Sequence, residues 1–172
     1  MFRVTPDPSF STAASGHRLV RRAASTPAGS WLLARVAHRL DGAVLRATRG
    51  RRTLTSLVAG LPVVVLGTTG ARTGRPRRTV LVAVPTPDGL AVLASAYGST
   101  RHPGWFHNLR AHPAATATVD GVEHRVTAEV LTGPRREQVW RRAVALYPGW
   151  RSYAARTGGR QIPVVLLHPG TR

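Results

Sequence analysis

Two Asp-Gly dipeptides, each set between β-branched apolar runs, constrain this chain more than any other feature. Asp88-Gly89 ends the segment Pro85-Thr86-Pro87-Asp88-Gly89, with apolar runs at 78–84 before it and 90–95 after it. Asp120-Gly121 separates residues 116–119 from residues 122–131. Asp-Gly tolerates the left-handed backbone of a tight hairpin turn, so each dipeptide predicts an antiparallel strand pair. Short apolar runs at 63–66 and 162–167 predict one early and one late strand. Residues 134–146 read as a helix, with Pro134 near its start and Val139, Trp140, Ala143, Val144 and Leu146 on its apolar side. The strand-helix alternation of a Rossmann fold is missing. The expected fold is therefore mainly β with peripheral helices, an antiparallel sheet closing on itself as a small barrel.

Ahead of the barrel, residues 1–28 are rich in Ser, Thr, Ala and Pro and are expected to form a mobile tail. Residues 29–172 are expected to form one domain, opening on a basic amphipathic helix over 31–49. Such a helix packs on its own domain or makes peripheral contact with an anionic membrane surface. No segment approaches the roughly 20 apolar residues of a membrane span, and the first residues lack a signal-peptide pattern. With no cysteine, disulfides and thiolate chemistry are excluded, and a cytoplasmic location is expected.

The charge is extreme. All 25 basic residues are Arg, set against 7 carboxylates, for a net charge of +18. Guanidinium groups grip phosphate and carboxylate as planar forks, so an anionic partner is expected. The seven carboxylates, Asp7, Asp41, Asp88, Asp120, Glu123, Glu129 and Glu137, are scattered, which argues against paired-carboxylate catalysis. A chain so poor in catalytic groups is expected to borrow its chemistry from a cofactor.

Three stretches can carry that chemistry. Thr68-Thr69-Gly70-Ala71-Arg72-Thr73-Gly74-Arg75-Pro76-Arg77-Arg78 joins two expected strands and combines glycine bends, hydroxyls and guanidinium groups, the makings of an anion cradle or of an ordinary polar hairpin loop. His102-Pro103-Gly104-Trp105-Phe106-His107-Asn108-Leu109-Arg110-Ala111-His112-Pro113 predicts a short helix between two His-Pro pairs. Its Trp105 and Phe106 either wall an aromatic ligand or fill the core. Its histidines recur every five residues, off any common helical face, and no metal site is expected. Tyr147-Pro148-Gly149-Trp150-Arg151-Ser152-Tyr153 puts three aromatics at steps of three, either a core patch or a pocket whose phenols can donate protons.

Taken together, these stretches resemble the deazaflavin (coenzyme F420)-dependent nitroreductase family. The matching pieces span residues 44–169: Leu61-Pro62-Val63-Val64-Val65-Leu66-Gly67-Thr68-Thr69-Gly70, Gly74-Arg75-Pro76-Arg77, Leu93-Ala94-Ser95, Pro103 through Pro113, Tyr147-Pro148 and Ile162-Pro163-Val164. The resemblance implies a split β-barrel and reduced F420 as hydride donor to a small electron-poor acceptor, such as a quinone or nitro compound. It implies that Ala71, Arg72, Thr73, Arg77 and Arg78 hold the phosphate and glutamate tail of the cofactor. Thr79, Val80, Leu81 and Val82, with Leu93, Ala94, Ser95 and Ala96, would border its ring. Gly104, Trp105, Phe106, His107 and Asn108 would wall it, and Trp150 would close over it. Tyr147 and Tyr153, with Ser95 nearby, would act on the acceptor. Family members often carry Arg where Ala71 stands and a cation where Ala96 stands, contacts that Arg75 or Arg101 would have to replace. Trp150 stands where some members have Tyr. The alternatives are a split-barrel reductase using flavin mononucleotide and a basic nucleic-acid-binding protein. Against the latter, the aromatics do not interleave with the arginines as a stacking platform requires, and no nucleic acid is expected. The sequence leaves the oligomeric state open.

Overall fold

The computed structural model describes residues 61–170. The expected tail at 1–28 and the amphipathic helix at 31–49 lie outside the described residues.

Six strands form a closed antiparallel barrel: β1 (Val63–Thr69), β2 (Pro76–Thr86), β3 (Gly89–Leu93), β4 (Ala114–Val119), β5 (Val122–Leu131) and β6 (Val164–Pro169), in the spatial order β1-β2-β3-β6-β5-β4. β4 pairs back onto β1 through Leu66 and Ala117, and this contact closes the ring. Among the described residues three helices decorate it: α1 (Gly104–Ala111), α2 (Gly133–Leu146) and α3 (Gly149–Arg156). The expected split-barrel class is the one observed.

The two hairpin turns differ. Val119 pairs with Val122, so Asp120-Gly121 is the whole loop, and φ values of 50° and 83° give the left-handed pair of a type I′ turn. In the first hairpin Thr86 pairs with Gly89, so the loop is Pro87-Asp88 and not Asp88-Gly89. Pro87 presets the first turn position, and Gly89 already begins β3, its carbonyl accepting from Thr86 Oγ1 at 2.9 Å.

Alternation along β3 and β6 explains why they read as unbroken apolar runs. Leu90, Val92, Val165 and Leu167 point into the barrel, where they meet Val64, Leu66 and the α1 side chains Trp105, Phe106 and Leu109. Ala91, Leu93, Val164 and Leu166 point outward against Val139, Ala143, Val144, Trp150 and Tyr153 of α2 and α3. Strands covered on both faces need apolar residues at every position. Each of these large side chains, truncated to Ala, would cost about 2–5 kcal/mol.

Candidate functional site

The loop between β1 and β2 is a bend whose backbone donors are largely engaged. The ladder runs to Thr69 and Pro76. Beyond it, Gly70 N–H donates to Arg75 O at 2.9 Å, and Gly74 N–H, at a φ of 63°, donates to Gly70 O at 2.8 Å. Ala71 N–H donates to Asn108 Oδ1 at 3.0 Å, and Arg75 N–H reaches Thr73 Oγ1 at 3.4 Å. The backbone donors of this loop are thus mostly used within the fold. What the loop presents outward is guanidinium: every residue from Ala71 to Arg78 is exposed. Arg72, Arg75 and Arg77 form no ion pair among the described residues, and Arg78 meets only Glu123, at 3.6 Å in solvent. An exposed pair of that kind contributes about 0–1 kcal/mol.

Arg77 and Arg78 stand on opposite faces. Arg77 lies opposite Thr68 and Arg78 opposite Gly67. Directly paired residues share a face, and Thr68, with Val64 and Leu66, is buried on the inner one. Arg77 therefore emerges on the barrel-mouth side and Arg78 on the outer side. Thr79, Val80, Leu81 and Val82 follow on β2, all partly exposed.

α1 locks this loop to the barrel. Pro103 precedes it, and Pro113, which lacks an N–H, follows its C-cap His112. Trp105, Phe106 and Leu109 are buried in the barrel core, with Trp105 and Phe106 edge to face at 6.2 Å. Of the two readings of these aromatics, core packing is the one the geometry displays. Gly104 and His107 are exposed. Asn108 is turned toward the loop: its Nδ2 donates to Thr68 Oγ1 at 3.0 Å while its Oδ1 accepts from Ala71. One side-chain amide thereby ties the helix to the end of β1 and to the first turn of the bend.

Leu93, Ala94 and Ser95 are buried at the end of β3. The chain then enters a 3-10 turn, Ala96–Gly98, with positive φ at Ala96, Tyr97 and Gly98. Arg160 fastens it. Its Nη1 donates to Ala94 O at 3.1 Å, its Nη2 to Ser95 O at 3.0 Å and Ser99 O at 2.8 Å, and its Nε to Ser99 O at 3.1 Å. Nη1 also lies 3.1 Å from His102 Nδ1. Burial lowers the pKa of His102, and the neighbouring Arg160, His107 and Arg110 charges lower it further. The neutral ring can then accept from Arg160. Burial also lowers the pKa of Arg160. Sequence reading missed Arg160 because nothing local distinguishes it among so many arginines; its place between Gly158-Gly159 and the last strand was the only hint.

The third stretch assembles across a break rather than along one helix. Tyr147 caps α2, Pro148 and Gly149 redirect the chain, and α3 carries Trp150 and Tyr153. All three rings are 5% exposed and pack edge to face, with centroids 5.7–6.0 Å apart. The Tyr147 and Tyr153 phenol oxygens lie 3.2 Å apart. A Cβ on Gly149 would strike the Tyr147 ring and hydroxyl, so only glycine lets that phenol cross the helix start. Trp150 Nε1 is buried without a hydrogen-bond partner among the described residues. A buried donor left unmatched costs about 1–3 kcal/mol, a cost that a ligand acceptor would relieve. Exposed guanidinium groups beside the barrel and an unmatched indole donor beside two phenols suit a ligand with an anionic tail and a ring bearing acceptors. Among the described residues, no cluster of three or more His, Asp or Glu could hold a metal, and no helix is long and apolar enough to cross a membrane.

Residues 35–169 match the family model described as F420H(2)-dependent quinone reductase. The chain belongs to that family. An F420H(2)-dependent quinone reductase of Mycobacterium tuberculosis H37Rv is 35% identical over 133 residues, covering 75% of this chain and 87% of the relative. A solved F420-H2-dependent reductase, FDR-A, is 34% identical with a TM-score of 0.57, covering 62% of this chain and 94% of that one. A second solved chain, described as a domain-swapped dimer, is 30% identical with a TM-score of 0.60, covering 83% of this chain and all of that one. As a member of this family the protein is a deazaflavin-dependent oxidoreductase, and coenzyme F420 is its cofactor.

Proposed function

We propose that this reductase transfers a hydride from reduced F420 to a small, flat, electron-poor acceptor, a quinone or a nitro compound, with the cofactor tail on the β1–β2 loop. The observation that carries the reading is the set of outward guanidinium groups of Arg72, Arg75 and Arg77, without carboxylate partners among the described residues, on a bend held rigid by Asn108. Four further observations support the placement of the ring: the partly exposed Thr79–Val82 segment, the buried Ser95, the unmatched Trp150 donor and the paired phenols.

When bound, the reduced deazaflavin supplies the hydride. The protein's share is binding, orientation and proton placement. Arg72 and Arg77 neutralise the anionic tail through forked, charge-assisted hydrogen bonds. Ala71 and Thr73 shape the bend, and Arg78 contributes long-range charge from the outer face. Leu93, Ala94, Ser95 and Ala96 would border the ring, with Gly104, His107 and Asn108 of α1 beside it and Trp105 and Phe106 fixing that helix from the barrel core. Trp150 covers the ring and offers its N–H. The Tyr147 and Tyr153 hydroxyls are hydrogen-bonded at 3.2 Å, and the phenol that accepts in that bond would turn its own O–H to the acceptor oxygen as negative charge develops there, its partner's hydrogen bond stabilising the phenolate left behind until solvent returns the proton.

The protein is proposed to work in the cytoplasm. The test is an anaerobic assay of reduced F420 oxidation with a quinone and with a nitroaromatic, run beside reduced flavin mononucleotide. Turnover with F420 alone supports the reading. Equal or better turnover with the flavin, or none with either, overturns it.

A further inference from the structure

Arg160 is a cation satisfied by neutral acceptors. A guanidinium carries five N–H groups, and here each has a partner. Nη1 faces Ala94 O and His102 Nδ1, both at 3.1 Å, Nη2 faces Ser95 O at 3.0 Å and Ser99 O at 2.8 Å, and Nε faces Ser99 O at 3.1 Å. It forms no ion pair among the described residues. Its own backbone is fixed in turn. The buried Thr157 hydroxyl donates to Arg160 O at 2.7 Å, across a bend with Gly158 and Gly159 at φ 66° and 88°.

The segment it grips runs against backbone preference. Pairing of β3 ends at Leu93, opposite Val164, and Ala96 and Tyr97 then take left-handed φ values of 46° and 55°. Non-glycine residues hold such values only where their surroundings enforce them. Ser95, buried, stands between the end of the strand and this strained turn, and Arg160 holds the carbonyls on both sides of it. The bond to His102 differs in kind from the others. That ring packs on Phe106 at 4.9 Å and accepts only while Nδ1 is unprotonated. Burial keeps it neutral, and so do the charges that act on it, Arg160 from the loop after α3 and His107 and Arg110 from α1. Once protonated, it would face Arg160 as a second cation with no lone pair to offer.

We propose that Arg160 is a positioning residue for hydride transfer, fixing Ser95 at the border of the cofactor ring, and that His102, by accepting one of its N–H groups, makes that hold sensitive to acid. The inference rests on Ser95 bordering the ring, as in the proposed function. Transfer depends steeply on how the donor ring and the acceptor are aligned, so a loosened border lowers turnover more than it lowers affinity.

The experiment is steady-state oxidation of reduced F420 by menadione, followed from about pH 5 to about pH 8. The full chain is compared as wild type, Arg160→Gln, Arg160→Lys and His102→Asn. Fluorescence titration of F420 and thermal melting accompany each variant at each pH, and the assays run well below every melting midpoint. Asn keeps an acceptor near the Nδ1 position but does not titrate. Wild-type kcat is expected to fall about tenfold as pH drops below 6.5, a fall that His102→Asn removes. Above pH 6.5, Arg160→Gln is expected to lower kcat about tenfold while F420 affinity changes less than about threefold. Arg160→Lys, which keeps the charge but not the planar fork, recovers part of that loss. The same acid fall in wild type and His102→Asn overturns this inference alone. So does a folded Arg160→Gln with wild-type kcat, or one whose Tm and F420 affinity fall as far as its kcat, which marks a purely structural role. If Arg160→Gln does not fold, the comparison of His102→Asn with wild type decides by the same criterion. A wild-type chain that neither binds nor oxidises reduced F420 overturns the proposed function and this inference with it.

Discussion

Asn108 and Thr68 are joined by a 3.0 Å hydrogen bond between α1 and the end of β1, and the same amide holds the backbone of Ala71. The cation-rich bend is therefore a fixed platform set on the barrel. Replacing Asn108 with Ala leaves the Ala71 N–H and the buried Thr68 hydroxyl without these partners. Stability is expected to fall by about 1–3 kcal/mol, read from urea unfolding midpoints. F420 affinity is expected to fall as well, because the bend must then be ordered by the ligand.

The phenol pair makes a separable prediction. Tyr147→Phe removes one hydroxyl from the pair and is expected to lower kcat by about 100-fold or more while leaving F420 affinity intact, measured by single turnover and titration. A larger loss in binding than in turnover would contradict the proton-placing role.

Gly149→Ala tests the same phenol from the backbone side. The new methyl occupies the space of the Tyr147 ring, so the ring must move. A stability loss of about 1–3 kcal/mol and a kcat loss approaching that of Tyr147→Phe are expected. Unchanged kcat would mean that the position of the ring is immaterial.

Among the described residues, two groups contribute to the acid response. His102 is held below its ordinary value of 6.5, chiefly by burial. The unfolded chain binds the proton more readily, so this contribution is complete above pH 6.5 and is lost as pH falls through the lower folded value. Glu129 is held below 4.5, first by its 2.6 Å hydrogen bond from His168 and then by Arg135, against an opposing desolvation effect. Its contribution is complete above pH 4.5 and is lost as pH falls further. Unfolding midpoints followed against pH should decline in two stages. His102→Gln should flatten the first stage and Glu129→Gln the second.

Much of the barrel was legible in the sequence because strand periodicity and turn chemistry are local. The expected strand at 122–131 and the helix at 134–146 agree with β5 and α2 to within a residue, since Asp120-Gly121 and Pro134 punctuate them. β2 runs longer at both ends than its apolar stretch, because pairing to Thr69 and to Gly89 extends it through polar residues. The expected turn at 85–89 tightens to Pro87-Asp88, because Pro85, Thr86 and Gly89 are taken up by strand pairing. At the candidate site, the spacing of Tyr147, Trp150 and Tyr153 correctly brought three rings together, but through a chain break at Pro148-Gly149 and not along one helical face. Asn108's reach to a loop 40 residues away, and Arg160's to a turn 65 residues away, had no local signature. Long-range polar bonds depend on the finished fold.

The most direct test is a fluorescence titration with F420, comparing the wild-type chain with Arg72→Ala/Arg77→Ala across a series of salt concentrations. Both side chains are exposed, so Tm should hold. The account predicts saturable wild-type binding that weakens with salt, and a double variant with at least about tenfold weaker binding and a shallower salt dependence. Equal affinity and equal salt dependence in the two proteins would contradict it.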